Sequence, residues 1–130
     1  MILKTILFII AAYLIGSIMT GYWIGKYFFK KDITKEGSGN VGTTNVFRTI
    51  GPIAGVIVLI IDIAKGSIAT ILPGMMGFHS VSPLIFGIFA VIGHCYSIFL
   101  NFRGGKAVAT TAGVMLAYDP YFFLFVRPFL

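Results

Sequence analysis

Charged residues and cysteine are scarce in this sequence. Only 11% of its 130 residues are charged, against about a quarter in an ordinary soluble domain. The abundance of apolar residues excludes a disordered tail and a nucleic-acid-binding arm, and the single cysteine excludes a disulfide-stabilised secreted module. Hydrophobic residues make up 58% of the chain, aromatic residues 15%, and the mean hydropathy is +0.97. The composition therefore indicates a membrane protein, with at most about four spans of roughly 20 residues.

Long apolar stretches predict an all-α, polytopic membrane protein with three transmembrane helices and a short or broken fourth. They cover residues 5–25, 52–72, 81–102 and, in part, 107–127. The fourth is interrupted because Asp119 precedes Pro120, and a residue before proline is pushed out of the helical region. We interpret the whole chain as one transmembrane domain, because no stretch is left for a separate soluble one.

The connections between the apolar stretches alternate between several basic residues and none. This alternation predicts the orientation of the chain in the membrane. The connection 26–48 contains five lysines and arginines, the connection 73–80 contains none, and Arg103 and Lys106 follow the third stretch. Cytoplasmic loops of membrane proteins carry the excess of Lys and Arg. We therefore expect a multi-pass membrane protein with its N-terminus outside and both basic connections facing the cytoplasm.

The two basic connections have the composition of anion-binding loops. Residues 35–48 combine three glycines, three hydroxyls, two asparagines and two cations. Residues 101–106 repeat this pattern in short form, with two glycines and a lysine before a predicted helix start at Ala107. On one membrane face, the two loops can converge on a single phosphate-bearing ligand. The alternative is a pair of flexible glycine turns with solvated lysines.

The second and third apolar stretches contain an aspartate, a lysine and a histidine. Asp62 falls about 15 Å into its span, and Lys65 follows three residues later, so we predict a structural ion pair that shapes the floor of the site. His94 lies near the inner end of the third span, and a lone histidine on a helix is more often a packing residue than a catalytic one. No cluster has the spacing of metal ligands, so we expect no metal, and nothing points to a cofactor.

Five segments in order resemble the bacterial integral-membrane acyl-phosphate:glycerol-3-phosphate acyltransferases. They are GSIMTG at 16–21, GSGNVGTTNVFR at 37–48, DIAKG at 62–66, GH at 93–94 and FRGGKAVAT at 102–110. The resemblance implies an enzyme of phospholipid synthesis, with glycerol 3-phosphate and fatty acyl phosphate as partners in the bilayer. The 1-hydroxyl of glycerol 3-phosphate would attack the acyl carbon, giving 1-acyl-glycerol 3-phosphate and inorganic phosphate.

The resemblance also implies roles for residues of both loops. The candidate catalytic residues are Ser38, Arg48, His94 and Lys106. The candidate substrate- and phosphate-binding residues are Gly37, Gly39, Asn40, Thr44, Asn45, Gly104 and Gly105. Because acyl phosphate is already activated, we expect Ser38 to bind and orient substrate rather than to form a covalent intermediate. Lys106 would neutralise charge on the departing phosphate.

One departure from the family pattern leaves alternatives open, because the family's third motif, with a His and an Asn, is not found before Leu130. Three other departures are small changes: Met19 in place of proline, Thr43 in place of alanine and Ala107 in place of glycine. We therefore expect the N-terminal part of a longer enzyme, or an inactive truncated relative. A small multi-span transporter and a scaffold that binds anionic lipid headgroups are further alternatives. The residues leave the oligomeric state open.

Overall fold

A computed structural model describes residues 1–119, and these residues form a helical fold without β-strands. The helices are α1 (Ile2–Gly16), α2 (Thr20–Phe28), α3 (Thr43–Thr49), α4 (Pro52–Met75), α5 (Pro83–Cys95) and α6 (Val108–Tyr118). Single 3₁₀ turns lie at Ile33–Lys35 and Ile98–Leu100. The predicted all-α class is confirmed for the described part of the chain.

Helix α4 is the centre of the fold. Pro52 occupies its first turn, where proline's fixed φ suits a helix start and the missing N–H costs no hydrogen bond. Its 24 residues rise about 36 Å, enough to cross a hydrocarbon core. α4 contacts the other five helices. A buried apolar cluster fastens α2, α3 and the loop between them to α4, and consists of Met19, Ile33, Val41, Val46, Ala54 and Val58.

Glycines allow close approach between two pairs of helices. A methyl group added at Gly16 of α1 would overlap the backbone of Ala90 in α5. One added at Gly113 of α6 would overlap the carbonyl of Ile63 in α4. Small residues serve this purpose in membrane helix packing, where van der Waals contact replaces hydrophobic burial as the main attraction. The distance from α4 to α6 is therefore set by backbone contact.

We expect Gly113→Ala to lower the free energy of unfolding by about 1–3 kcal/mol, because the added methyl group has to push α6 away from α4. The matched control is Gly74→Ala, since Gly74 is also helical and its nearest neighbour, His79, would lie at an ordinary 3.5 Å. Melting temperatures in detergent micelles test the pair. Equal melting temperatures for the two variants would contradict the packing argument.

The predicted span 5–25 is not one straight helix, because α1 and α2 meet at a bend of 42°. Side chains from distant segments bind the carbonyls released at the break. Ser97 Oγ donates to Ser17 O at 2.6 Å. Lys65 Nζ donates to Ile18 O at 2.7 Å. Within a bilayer such carbonyls need protein donors, since no water is available. The break is therefore stabilised by tertiary contacts that the local sequence does not reveal.

The predicted span 81–102 is helical only over α5. After Cys95 the backbone turns back, and the Ser97 N–H donates to Arg103 O at 3.1 Å instead of continuing the helix. Within the described part of the chain, α4 is the one helix long and apolar enough to cross a bilayer alone. The bent α1 and α2 add a second candidate if they form one span. The predicted count of three full-length helices is thus not reproduced.

The predicted partial span 107–127 begins one residue later than expected. Ala107 is not helical but left-handed, with φ of 60°, a conformation that favours the glycine of the family pattern. Asp119 is extended, as expected for a residue that precedes a proline. Residues 120–127 lie outside the described part of the chain.

Candidate functional site

One cavity, with a volume of about 450 Å³, receives side chains from both glycine-rich connections. Its polar lining comprises Ser38, Asn40, Thr43, Thr44, Asn45, Arg48, Asp62, His94 and Lys106. Residues from 38 to 48 and from 106 onward thus face the same space, although more than fifty residues separate them in sequence. The two connections therefore meet, as their positions on one predicted membrane face require.

Asn45 organises the first connection. Its side-chain amide donates to the carbonyls of Ile33 (3.3 Å), Glu36 (3.0 Å) and Asn40 (2.9 Å). Its Oδ1 accepts from the Ser38 N–H at 3.2 Å. Asn45 is buried, and Gly37, with φ of +54°, has no space for a side chain beside it. The loop therefore folds around one amide, which fixes where Ser38 and Asn40 meet the cavity.

The start of this loop is held by a carboxylate. Asp32 accepts hydrogen bonds from the hydroxyl and the N–H of Thr34. The hydroxyl contact is the largest cause that lowers the pKa of the Asp32 carboxyl below its usual value. Asp32 is therefore ionised at neutral pH, and it caps the 3₁₀ turn that precedes the glycines.

Arg48 lies in the last turn of a short helix, not in an open loop. The second half of the predicted loop, from Thr43 onward, forms α3. Thr49 Oγ1 donates to Asn45 O at 2.8 Å within that helix. Arg48 and Lys106 are both exposed side chains at the cavity. Two mobile cations at the opening of a polar cavity suit the capture of an anionic ligand.

The second connection is attached to the end of α5. The Gly105 N–H donates to His94 O at 3.2 Å. A side chain at Gly104 would overlap that same carbonyl, so the backbone can approach only as glycine. The next residue, Lys106, therefore enters the cavity from a backbone anchored next to His94.

A chain of polar contacts forms the buried side of the cavity. Lys65 Nζ lies 3.1 Å from Asp62 Oδ1 and 2.8 Å from His94 Nδ1. All three side chains are at most 4% exposed. Asp62 and Lys65 thus form the ion pair expected from their i, i+3 spacing, and Lys65 also contacts His94. Cys95, which follows His94, is a free thiol.

The predicted glycines do not line the cavity. Gly37 and Gly39 have positive φ angles and form turns, and Gly104 and Gly105 pack against His94. In the described residues these glycines shape the backbone of the site, and their role in binding phosphate stays a prediction. Within residues 1–119, no three His, Cys, Asp or Glu side chains come together as metal ligands do.

Sequence reasoning missed part of the cavity lining. Thr43 contributes a buried hydroxyl without a hydrogen-bond partner among the described residues. An apolar wall from α4 and α6 consists of Leu59, Ile63, Val108, Ala109 and Ala112. Leu59 and Ile63 are four residues apart in the helix that contains Asp62. This spacing is the one sequence signal that indicates the apolar wall on α4.

Curated proteins of known name are similar over nearly the whole chain. Glycerol-3-phosphate acyltransferase of Streptococcus mutans serotype c is 55% identical over 124 residues, which are 95% of this chain and 58% of that relative. The enzyme of the same name from Limosilactobacillus reuteri is 61% identical over 117 residues, which are 89% and 56% of the two chains. The chain therefore spans less than two thirds of the length of these relatives.

Solved structures show the same fold. A crystal structure of PlsY (YgiH), an integral membrane glycerol 3-phosphate acyltransferase, in its glycerol 3-phosphate form, aligns with a TM-score of 0.85 at 41% identity. The alignment covers 95% of this chain and 62% of that one. The lysophosphatidic acid form of PlsY aligns with a TM-score of 0.81. A family model described as glycerol-3-phosphate acyltransferase matches residues 6–129. On this evidence from sequence and fold, the chain belongs to the glycerol-3-phosphate acyltransferase family.

Proposed function

We propose that this chain forms the acceptor and phosphate sites of an enzyme that transfers a fatty acyl group from acyl phosphate to glycerol 3-phosphate. The products are 1-acyl-glycerol 3-phosphate and inorganic phosphate, which is a first step of phospholipid synthesis. One observation carries the proposal: two cations from separate segments, Arg48 and Lys106, line one cavity that also has an apolar wall. Both substrates bear a phosphate, and the donor adds an acyl chain that needs an apolar surface.

In this proposal, binding and charge neutralisation supply most of the rate. The 1-hydroxyl oxygen bonds to the acyl carbon while the bond from that carbon to the phosphate oxygen breaks. Ser38 and Asn40 orient the substrates, and Arg48 and Lys106 neutralise the phosphates. The hydroxyl proton passes to the phosphate of glycerol 3-phosphate, and inorganic phosphate leaves with the electron pair of the broken bond. Ser38 forms no covalent intermediate.

The membrane position of the chain follows from the same proposal. The apolar outer faces of the helices lie in the lipid of a bacterial cytoplasmic membrane, with the N-terminus outside. The basic connections then face the cytoplasm, in agreement with the distribution of lysine and arginine. The apolar wall between α4 and α6 gives the acyl chain a surface next to the lipid from which it comes.

Acyl transfer by reconstituted membranes tests the proposal. Vesicles that contain the chain receive acyl phosphate and labelled glycerol 3-phosphate, and labelled 1-acyl-glycerol 3-phosphate is measured. A second sample contains the chain joined to the part of the Streptococcus mutans relative that the match does not cover. We expect product in the second sample, with a loss of about 10- to 100-fold in Ser38→Ala, since a hydrogen bond to a charged group is removed. No product from either sample would contradict the proposal. Unchanged activity in Ser38→Ala would contradict the orienting role of Ser38.

A further inference from the structure

We propose that Lys65, held by Asp62, is a positioning residue that fixes the tautomer of His94. In this arrangement the imidazole carries its hydrogen on Nε2 and donates it into the cavity, to a phosphate oxygen of a bound substrate. The identity of that acceptor rests on the proposed function. The state of the imidazole rests on the contacts of the protein alone.

The surroundings of Lys65 determine the direction of each hydrogen bond. A lysine ammonium has three donors and no lone pair. Lys65 Nζ donates to Ile18 O at 2.7 Å, lies 2.8 Å from His94 Nδ1 and forms an ion pair with Asp62 Oδ1 at 3.1 Å. The Asp62 carboxylate and the Ile18 carbonyl can only accept. His94 Nδ1 faces the remaining N–H of the ammonium, so it has to accept as well. Nδ1 of His94 is therefore the nitrogen without a hydrogen.

The charge of Lys65 is required by its neighbour. Asp62 is 2% exposed, and its nearest cation is Lys65. A neutral amine at this position would leave a buried carboxylate uncompensated, which is costly in a protein interior. A doubly protonated His94 would carry a hydrogen on Nδ1, directed against the Lys65 ammonium. The Thr110 hydroxyl, 3.4 Å from the same Nδ1, adds another group that can donate to it.

The other imidazole nitrogen, Nε2, lies beside Gly105, near Asn40, which lines the cavity. A methyl group added at Gly105 would come within 2.6 Å of His94 Nε2 and within 3.2 Å of Asn40 Oδ1, so glycine keeps the space before this nitrogen open. His94 lines the cavity together with Lys106. Among the residues that the structure describes, no hydrogen bond joins Nε2 to the protein. Its N–H is therefore available to a ligand, and its lone pair is not available for general-base catalysis.

Nitrogen-15 NMR of the histidine-labelled chain in lipid vesicles tests the tautomer directly. The chain has two histidines, and His79→Ala removes the exposed one so that the remaining signals can be assigned. We expect an unprotonated Nδ1 and a protonated Nε2 at neutral pH. In Lys65→Met we expect a mixture of tautomers, and in Lys65→Arg the original one. A protonated Nδ1 in the unmodified chain would overturn the inference.

Two substitutions of His94 separate a hydrogen-bond donor from a general base. Glutamine places its amide nitrogen near the position of Nε2, whereas asparagine reaches only the position of Nδ1. Binding of glycerol 3-phosphate and of a non-reactive acyl phosphonate shows which phosphate accepts the hydrogen bond. For the probe whose phosphate accepts the hydrogen bond, we expect the affinity of His94→Gln to lie within about 3-fold of that of the original chain. We expect His94→Asn to bind the same probe about 10- to 100-fold more weakly. Equal affinity of the two variants for both probes would overturn the inference.

The two proposals fail in distinguishable ways. The expected tautomer in a chain that binds neither probe would contradict the acyltransferase proposal and leave the positioning of His94 by Lys65 standing. The opposite tautomer in a chain that binds both probes would overturn this inference alone.

Discussion

Acyl transfer is expected to fall by about 100- to 1,000-fold when either Arg48 or Lys106 is replaced by alanine, as when a single transition-state donor is removed from an active site. Each side chain lines the cavity from a different segment, so each supplies charge that the other cannot replace. Lys106 follows the backbone anchored at His94, and the proposed mechanism has its charge beside the departing phosphate. The measurement is the rate of product formation in the vesicle assay at saturating acyl phosphate.

The matched control for Lys106 is Arg103→Ala. Arg103 has the same charge, belongs to the same connection and is exposed, but it does not line the cavity. We expect its removal to change the rate by less than about 3-fold, as for a screened surface charge. Similar losses in Arg103→Ala and Lys106→Ala would mean that the net charge of the loop matters and not its geometry.

Asn45→Ala is expected to lower the free energy of unfolding by about 3 kcal/mol, because buried carbonyls and an N–H lose their partner together. Asn45→Asp is expected to be at least as damaging. The carboxylate retains an acceptor for Ser38 but brings negative charge against three carbonyl oxygens. Melting temperature and protease cleavage between residues 32 and 45 measure the effect.

Thr44→Ala serves as the control for Asn45. Thr44 is the preceding residue and also lines the cavity, but it is exposed. We expect the Thr44 variant to retain the melting temperature and resistance to protease of the original chain. If Asn45→Ala retained them too, Asn45 would be a ligand contact and not the organiser of the loop.

The low charge and high hydropathy predict the helical class because they indicate that lipid surrounds the protein. In lipid a helix binds all of its own backbone groups. The meeting of two polar connections at one cavity could also be predicted, since both were assigned to the same side of the membrane. The helical pattern could not reveal the break between α1 and α2. That break is stabilised by Ser97 and Lys65, which are 80 and 47 positions away from the carbonyls they bind.

The predicted polar residues of the site line one cavity, and their roles toward a substrate stay predictions. Asn45, expected to contact substrate, lines that cavity and also binds four backbone groups of its own loop. A polar residue in a loop can satisfy either need, and the sequence does not say which. The spacing of Asp62 and Lys65 predicted an ion pair, but the contact with His94 joins two helices and has no local pattern.

The alanines of the cavity wall affect how a ligand is held. Ala109 and Ala112 of α6 have no side-chain rotamers, and the glycine contact between α4 and α6 keeps the backbone behind them in place. An acyl chain that packs on Ala109 and Ala112 therefore restricts no rotamer at these two positions, whereas ordering a longer side chain would cost up to about 2 kcal/mol of conformational entropy. At these two positions the affinity for an acyl chain would thus depend on the area of contact, with little entropic cost to the protein.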